Sequence, residues 1–331
     1  METISMDAKA TLLLVSRLRQ KDSGEAAILT PTEFDTLLAW MDSHSLSLSD
    51  LLNADTLTSG LDDHPEKERV ESLMSRRLSL SAALESWRSQ AIGVLCAKDS
   101  AYPVKWLEKL KRTPPIVFYA GNIDLRNRGG VAIAGSRNID GNAEDFTRKL
   151  AKTCAELGFQ VISGGAKGVD QIALASSLEN GGTAIAVLAD SLSKVSLMST
   201  YREYLRDGSL LLLSPYDPEA HFMVGNAMAR NKLIYSLADF AVVVSAETNS
   251  GGTWAGATEN MKNGWAPLYV RSSDNSKAGN KELVALGATP LDEANAEDKD
   301  YVYSLWKQSA LKACDIQETH QPNDQQILPL F

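Results

Sequence analysis

From Ile92 to Val270 the chain repeats one pattern: a short apolar run, a polar loop, then a stretch with helical periodicity. The runs are Ile116–Tyr119, Val131–Ala134, Gln160–Ile162, Thr183–Leu188, Leu210–Leu213, Phe240–Val244 and Pro267–Val270. Runs this short and apolar read as strands buried on both faces, and strands alternating with helices argue a parallel sheet. The stretch Ala143–Leu157 carries Phe146, Leu150, Cys154 and Leu157 along one helical face. Gly158 and Gly181-Gly182 fall where helices end and the backbone needs residues that tolerate positive φ. The pattern predicts an α/β fold with a doubly wound, mostly parallel sheet.

In such a sheet, ligands bind beyond the carboxyl ends of the strands. The strand at Val131–Ala134 is followed by Gly135-Ser136-Arg137-Asn138. Gln160–Ile162 is followed by Ser163-Gly164-Gly165-Ala166-Lys167-Gly168, and Phe240–Val244 by Ser245-Ala246-Glu247 and then Ser250-Gly251-Gly252-Thr253. Three loops are thus expected at one sheet edge, offering backbone amides, helix N-termini, hydroxyls, Arg137 and Lys167. That is chemistry for an anion, most simply a phosphate. Arg230-Asn231-Lys232, just before the Phe240 strand, adds two further cations. The glycine corner matches neither the G-x-G-x-x-G dinucleotide fingerprint nor the P-loop. No histidine falls in a strand-end loop, and Asp170 reads as an N-terminal helix residue favoured by the macrodipole, so no catalytic constellation is expected.

The flanks carry packing signals only. Residues 1–91 read as a helical N-terminal domain. Thr30-Pro31-Thr32-Glu33 pairs a capping box with proline at the first helical position, and Phe34, Leu37, Leu38 and Met41 follow on one face. A further helix is expected near Pro65. Residues 92–293 form the core, and 294–331 a short helix over Tyr301–Ala313 plus a polar tail. With 44% hydrophobic and 23% charged residues the composition is that of a soluble globular protein, and no stretch is apolar enough to span a membrane. Cys96, Cys154 and Cys314 are few and scattered, which fits reduced thiols in a cytoplasm, and no metal or cofactor is expected. The net charge of −9 argues against a generic basic coat for nucleic acid but leaves room for a local positive patch.

The ordered motifs resemble the DNA-processing protein A (DprA/Smf) family, whose core is an extended Rossmann-like domain. They are Asp99-Ser100-Ala101-Tyr102-Pro103, Pro114–Phe118, Gly135-Ser136-Arg137, Ser163–Asp170, Gly181–Leu188, Arg230-Asn231-Lys232-Leu233-Ile234 and Ser250-Gly251. The resemblance covers Ile92 to Glu293. It implies a DNA-binding, non-catalytic protein that takes single-stranded DNA in a basic pocket, acts as a homodimer and hands the strand to a RecA-type recombinase. By matching position, Arg137, Lys167, Arg230 and Lys232 become candidates for phosphate contacts. Gly135, Ser136, Ser163, Gly164, Gly165, Asn231, Ser250 and Gly251 complete the expected site.

The chain departs from the family pattern in places. Leu174 stands where a histidine is common, Ser191–Ser199 replaces a Tyr-Pro, and the stretch after 293 is too short for a winged helix. A divergent, shortened member of this kind is also compatible with a DNA-binding, antitoxin-like role beside a toxin partner in a defence system. The alternative is a nucleotide-binding or nucleotide-hydrolysing protein. Gly251–Glu259 is similar to the P-G-G-x-G-T-x-x-E motif of lysine-decarboxylase-like phosphoribohydrolases, but Glu259 falls one residue late, which favours a surface helix residue over a general acid/base. Finally, Gln325–Phe331 is similar to a sliding-clamp-binding peptide; packing onto its own domain or a dimer mate is the favoured reading.

Overall fold

The computed structural model describes residues 3–18 and 26–307. Its helical start follows from local capping. Helix α1 (Met6–Val15) is capped by Ser5, whose Oγ accepts from the Ala8 amide at 3.0 Å, and Leu12, Leu13 and Leu14 are buried. Helix α2 (Pro31–Ser43) has the expected capping box: Glu33 N donates to Thr30 Oγ1 at 3.3 Å and Thr30 N to Glu33 Oε2 at 2.7 Å. Phe34, Leu37 and Met41 are buried, while Leu38 is half-buried. Helices α3 (Ala54–Ser59), α4 (Lys67–Met74) and α5 (Arg77–Ser89) follow. Arg69 of α4 donates to Glu33 Oε1 at 2.9 Å, tying that helix to the α2 cap.

The remainder is one sheet with helices on both faces. In chain order it runs β1 (Gly93–Cys96), α6 (Val104–Lys109), β2 (Ile116–Gly121), β3 (Val131–Gly135), α7 (Gly141–Glu156), β4 (Val161–Ser163), α8 (Val169–Glu179) and β5 (Ala184–Val187). It continues with α9 (Leu192–Ser196), α10 (Ser199–Asp207), β6 (Leu210–Ser214), α11 (Val224–Leu237), β7 (Phe240–Ser245), α12 (Gly251–Asn263), β8 (Leu268–Ser272), α13 (Ala278–Ala285) and β9 (Thr289–Asp292). The strand order is β1-β2-β6-β5-β4-β3-β7-β8-β9. The β1–β2 and β2–β6 pairs are antiparallel and the other six pairs parallel. Strands β1 and β9 extend the sheet beyond the seven apolar runs. At β9 only Leu291 is buried, and Pro290 is tolerated because an edge strand leaves one side unpaired.

Alternation along the strands divides the core in two. Val131, Ile133, Val242 and Val244 face α7, α8 and the N-terminal helices, whereas Ala132, Ala241 and Val243 face α6, α11, α12 and α13. The first cluster runs without interruption from α1 to β2, with Trp87 of α5 edge-on to Phe118 of β2 at 4.9 Å. The 91/92 boundary falls between α5 and β1, and the apolar core continues across it. The helix expected from Tyr301 is described as far as residue 307; Val302 and Trp306 are buried, and Trp306 stacks on Phe240 at 5.4 Å. Residues 308–331, including the clamp-like Gln325–Phe331, lie outside the described residues.

Candidate nucleic-acid interface

Strand β3 is the first parallel strand of the sheet, and the chain builds outward from it in both directions. It pairs with β4 on one side and β7 on the other, so the loops leaving β3 and β7 diverge at a topological switch point. A cleft of about 370 Å³ opens there, lined by the loops after β3 and β7, by α11 and by the first turn of α12. Residues buried at its floor are Asp170, Arg230, Ile234, Tyr235 and Ala246. Arg137, Phe222, Val224, Met228, Ser250 and Gly251 are exposed around its mouth.

The glycine corner explains how the loops are held. Gly168 has φ +90° and ψ −132°, and a Cβ there would lie 2.5 Å from the Ser136 carbonyl oxygen and 2.7 Å from that of Arg137. Only glycine lets the two loops lock backbone to backbone. A Cβ at Gly135 would meet Val169 at 2.5 Å, and one at Gly164 would meet Asp170 Oδ2 at 2.5 Å and the Arg230 guanidinium at 2.6 Å. Ser136 N donates to Ser245 O at 3.0 Å, joining the β3 loop to β7. The glycines at 135, 164 and 168 thus serve loop packing. Gly251 is different: its φ is +79° and the space where its Cβ would point is open.

Arg230, a candidate for phosphate contact, lies at the cleft floor under the loops. It is 4% exposed, and its Nη1 donates to the Gly164 carbonyl at 2.5 Å and to that of Val187, supporting the Ser163–Gly168 loop from below. Asp170 is its counter-charge. Burial pushes this carboxyl up, and the Arg230 guanidinium, the Ala166 amide and neighbouring donors pull it down. Burial likewise pushes Arg230 down, and Asp170 opposes that shift. Asp170 is therefore a structural carboxylate under the loop, a stronger constraint than the helix-dipole role expected of it.

The other expected residues divide. Gly135, Ser136, Arg137, Asn231, Ser250 and Gly251 line the cleft with Arg230. Asn231 Nδ2 donates to Gly252 O at 3.0 Å, fixing α11 against the start of α12. Ser163 and Gly164 are buried beneath, with Ser163 Oγ donating to Ile133 O at 2.6 Å. Gly165, Lys167 and Lys232 do not line the cleft; Lys167 is exposed on the loop and Lys232 half-buried on α11. Ser250 is the N-cap of α12 without a side-chain cap bond, so amides of the first helical turn face the mouth unengaged by it. Glu247, the acid at the mouth, is paired with Lys277 at 2.6 Å.

Phe222 was not expected. Arg137 Cζ sits 4.8 Å from its ring centroid, and the ring is 47% exposed. An isolated aromatic in a polar loop gave no periodic signal. Glu259 is exposed on the third turn of α12 and outside the cleft, roughly 12 Å along the helix from Gly251. Leu174, in place of the family's histidine, is fully buried on α8. Among the described residues no group of acids, histidines or cysteines forms a metal site, and no helix is long and apolar enough to cross a membrane.

The family model, the curated relatives and two of the solved structures point to one lineage. The family model for DNA recombination-mediator protein A matches residues 93–300. Protein Smf of Synechocystis is 27% identical over 255 residues, covering 70% of this chain and 63% of the relative, so the match spans less than two thirds of that protein. DNA processing protein DprA of Bacillus subtilis is 25% identical over 251 residues, covering 74% and 79% respectively. The Streptococcus pneumoniae DprA structure shares the fold, with a TM-score of 0.64 over 88% of this chain and 95% of that one at 23% identity. A Helicobacter pylori DNA processing protein A, solved to describe its single-stranded DNA binding mode, aligns with a TM-score of 0.54 at 26% identity, over 66% of this chain and 96% of that one.

Proposed function

The chain belongs to the DNA recombination-mediator protein A family, and on that premise we propose that it binds single-stranded DNA at the β3/β7 cleft without chemical turnover. One observation carries the reading: a cation, an open helix N-terminus and an exposed aromatic converge on one mouth. Arg137 supplies the charge, the first-turn amides of α12 from Gly251 onward supply donors, and Phe222 supplies a face. Phosphates bind cations and helix N-termini, and unpaired bases stack on exposed rings. A duplex keeps its bases stacked inside and cannot use such a ring.

Turnover finds little support. The titratable side chains lining the cleft are Arg137, Asp170, Arg230, Tyr235 and Glu247. Asp170 is engaged under the loop and Glu247 with Lys277. With Glu259 outside the cleft, the glycosidase alternative loses its acid/base. Family membership extends the proposal to a homodimer that passes its strand to a RecA-type recombinase. A toxin partner in defence and a sliding clamp gripping Gln325–Phe331 are further partners that the sequence raises.

The test is fluorescence anisotropy of a labelled oligothymidylate, with duplex and free nucleotide as competitors. Salt-sensitive binding to the strand, resistant to both competitors, is expected. Retention of the mononucleotide with no affinity for the strand would replace the proposal with a nucleotide pocket.

A further inference from the structure

A second groove, of about 840 Å³, lies at the other end of the sheet from the cleft. Strand β2 pairs with β6 as far as Gly121 with Leu211, next to the Ala184–Leu210 pair that begins β5 and β6. The groove therefore sits at the amino ends of the parallel strands. The β1–β2 pairing stops earlier, at Gly93 with Tyr119. Ala120 and Gly121, which line the groove, lie past the end of β1, and no described strand pairs with them on that side. The chain entering β1 turns away: Ala91 has φ +56°, and the Ala91 and Ile92 amides donate to Arg88 O and Trp87 O at the end of α5, at 3.0 and 2.9 Å. What remains is a short length of open strand edge, the kind of surface that takes up an extended chain.

Helix α10 brings the charge. Arg202 and Arg206 stand one turn apart, line the groove and are exposed, and among the described residues neither forms a salt bridge. Two neighbouring acids are engaged elsewhere. Asp207 accepts from Ser209 Oγ at 2.6 Å, and Asp124, at the rim, lies 3.6 Å from Arg126 Nη1. Ile123, Leu197 and Leu205 add apolar lining, with Leu197 58% exposed. Two unpaired guanidiniums, an exposed leucine and an open edge are complementary to a peptide that carries carboxylates beside an apolar side chain. A nucleic-acid strand fits less well. Tyr119, the aromatic residue of the lining, is buried and offers no stacking face, and the exposed Asp124 carboxylate repels phosphate.

We propose that this groove binds an acidic segment of a partner protein. The segment runs extended along Ala120–Gly121, sets carboxylates on Arg202 and Arg206, and packs an apolar side chain against Leu197. Groove and cleft are at opposite ends of the sheet, so the segment docks whether or not the cleft is filled. The inference does not rest on the DNA-binding reading.

The test selects a random-peptide display library on wild type and counter-selects it on Arg202→Glu/Arg206→Glu. The recovered peptides are expected to share at least two acids close to an apolar residue. A labelled peptide of that consensus is then titrated by fluorescence anisotropy. The double variant is expected to bind it about tenfold more weakly and Leu197→Ser about fivefold, both melting as wild type does because the altered side chains are exposed. Saturating oligothymidylate is expected to leave the peptide bound. Recovery of no discriminating peptide, or of discriminating peptides without acids, would overturn the proposal, and so would unchanged peptide affinity in Leu197→Ser. Displacement by oligothymidylate, with loss of strand affinity in the double variant, would make the groove a nucleic-acid site instead. A change of sedimentation between wild type and the double variant would make it a contact between copies of this chain, which also contradicts the proposal.

Discussion

Replacing Arg230 with leucine separates a structural role from a ligand-binding one. A surface cation that meets phosphate would cost affinity and leave stability alone. Arg230 is 4% exposed, bonded to two loop carbonyls and set beside buried Asp170. Removing one partner of a buried charge pair costs about 3–5 kcal/mol, because the other charge stays buried uncompensated. For a domain of this size that corresponds to a fall of roughly 6–20 °C in melting temperature. The double variant Arg230→Leu/Asp170→Asn is expected to recover about 1–3 kcal/mol, as coupled neighbours do.

The pH dependence has a definite sign. Burial raises the folded Asp170 carboxyl above its unfolded value, so its favourable contribution is complete below the unfolded pKa and is lost as pH rises through the folded one. Without Arg230 that loss grows. The melting gap between wild type and Arg230→Leu therefore widens from acid towards neutral pH, which circular dichroism melts across that range would follow. A single variant melting within about 2 °C of wild type at neutral pH, with weakened DNA binding, would refute the reasoning and return Arg230 to the ligand.

Three further perturbations follow from the same contacts. Gly168→Ala forces a side chain into a glycine-only backbone region against two carbonyl oxygens, and is expected to cost about 2–4 kcal/mol in urea unfolding and to abolish DNA binding. Hydrogen bonds from Arg69 and Thr30 hold the Glu33 carboxyl at about 2, below its ordinary 4.5, so its support of the α2 cap is present above 4.5 and lost as pH falls towards 2. In Glu33→Gln, melting temperature should lose that part of its acid dependence. Glu259→Gln is expected to leave strand affinity unchanged; a change of several-fold in anisotropy titrations would bring α12's third turn into the site.

The seven strands and the three strand-end loops were legible because buried parallel strands need continuous apolar runs and their loops need glycine or polar residues. What the glycines do was not. Gly164 and Gly168 mark close packing between loops as readily as an approach to ligand, and only the neighbours' positions distinguish the two. Gly251, by contrast, faces open space. The burial of Arg230 had a signal in the sequence: it shares helical spacing with Leu233, Ile234 and Leu237, all on the buried face of α11. A charged residue in register with a core stripe is more informative than the basic cluster around it. Asp170, its counter-charge, lies sixty positions away in the chain, and no periodicity links them. Strand β9 escaped because a half-exposed edge strand containing proline carries neither an apolar run nor alternation.

The most direct test of the cleft as the DNA site is the salt dependence of oligothymidylate affinity in wild type and Arg137→Gln. The account predicts weaker binding at low salt and a log–log slope shallower by about 0.7, the loss of one phosphate contact on a single strand. Identical affinities with parallel slopes would place the strand elsewhere on the protein.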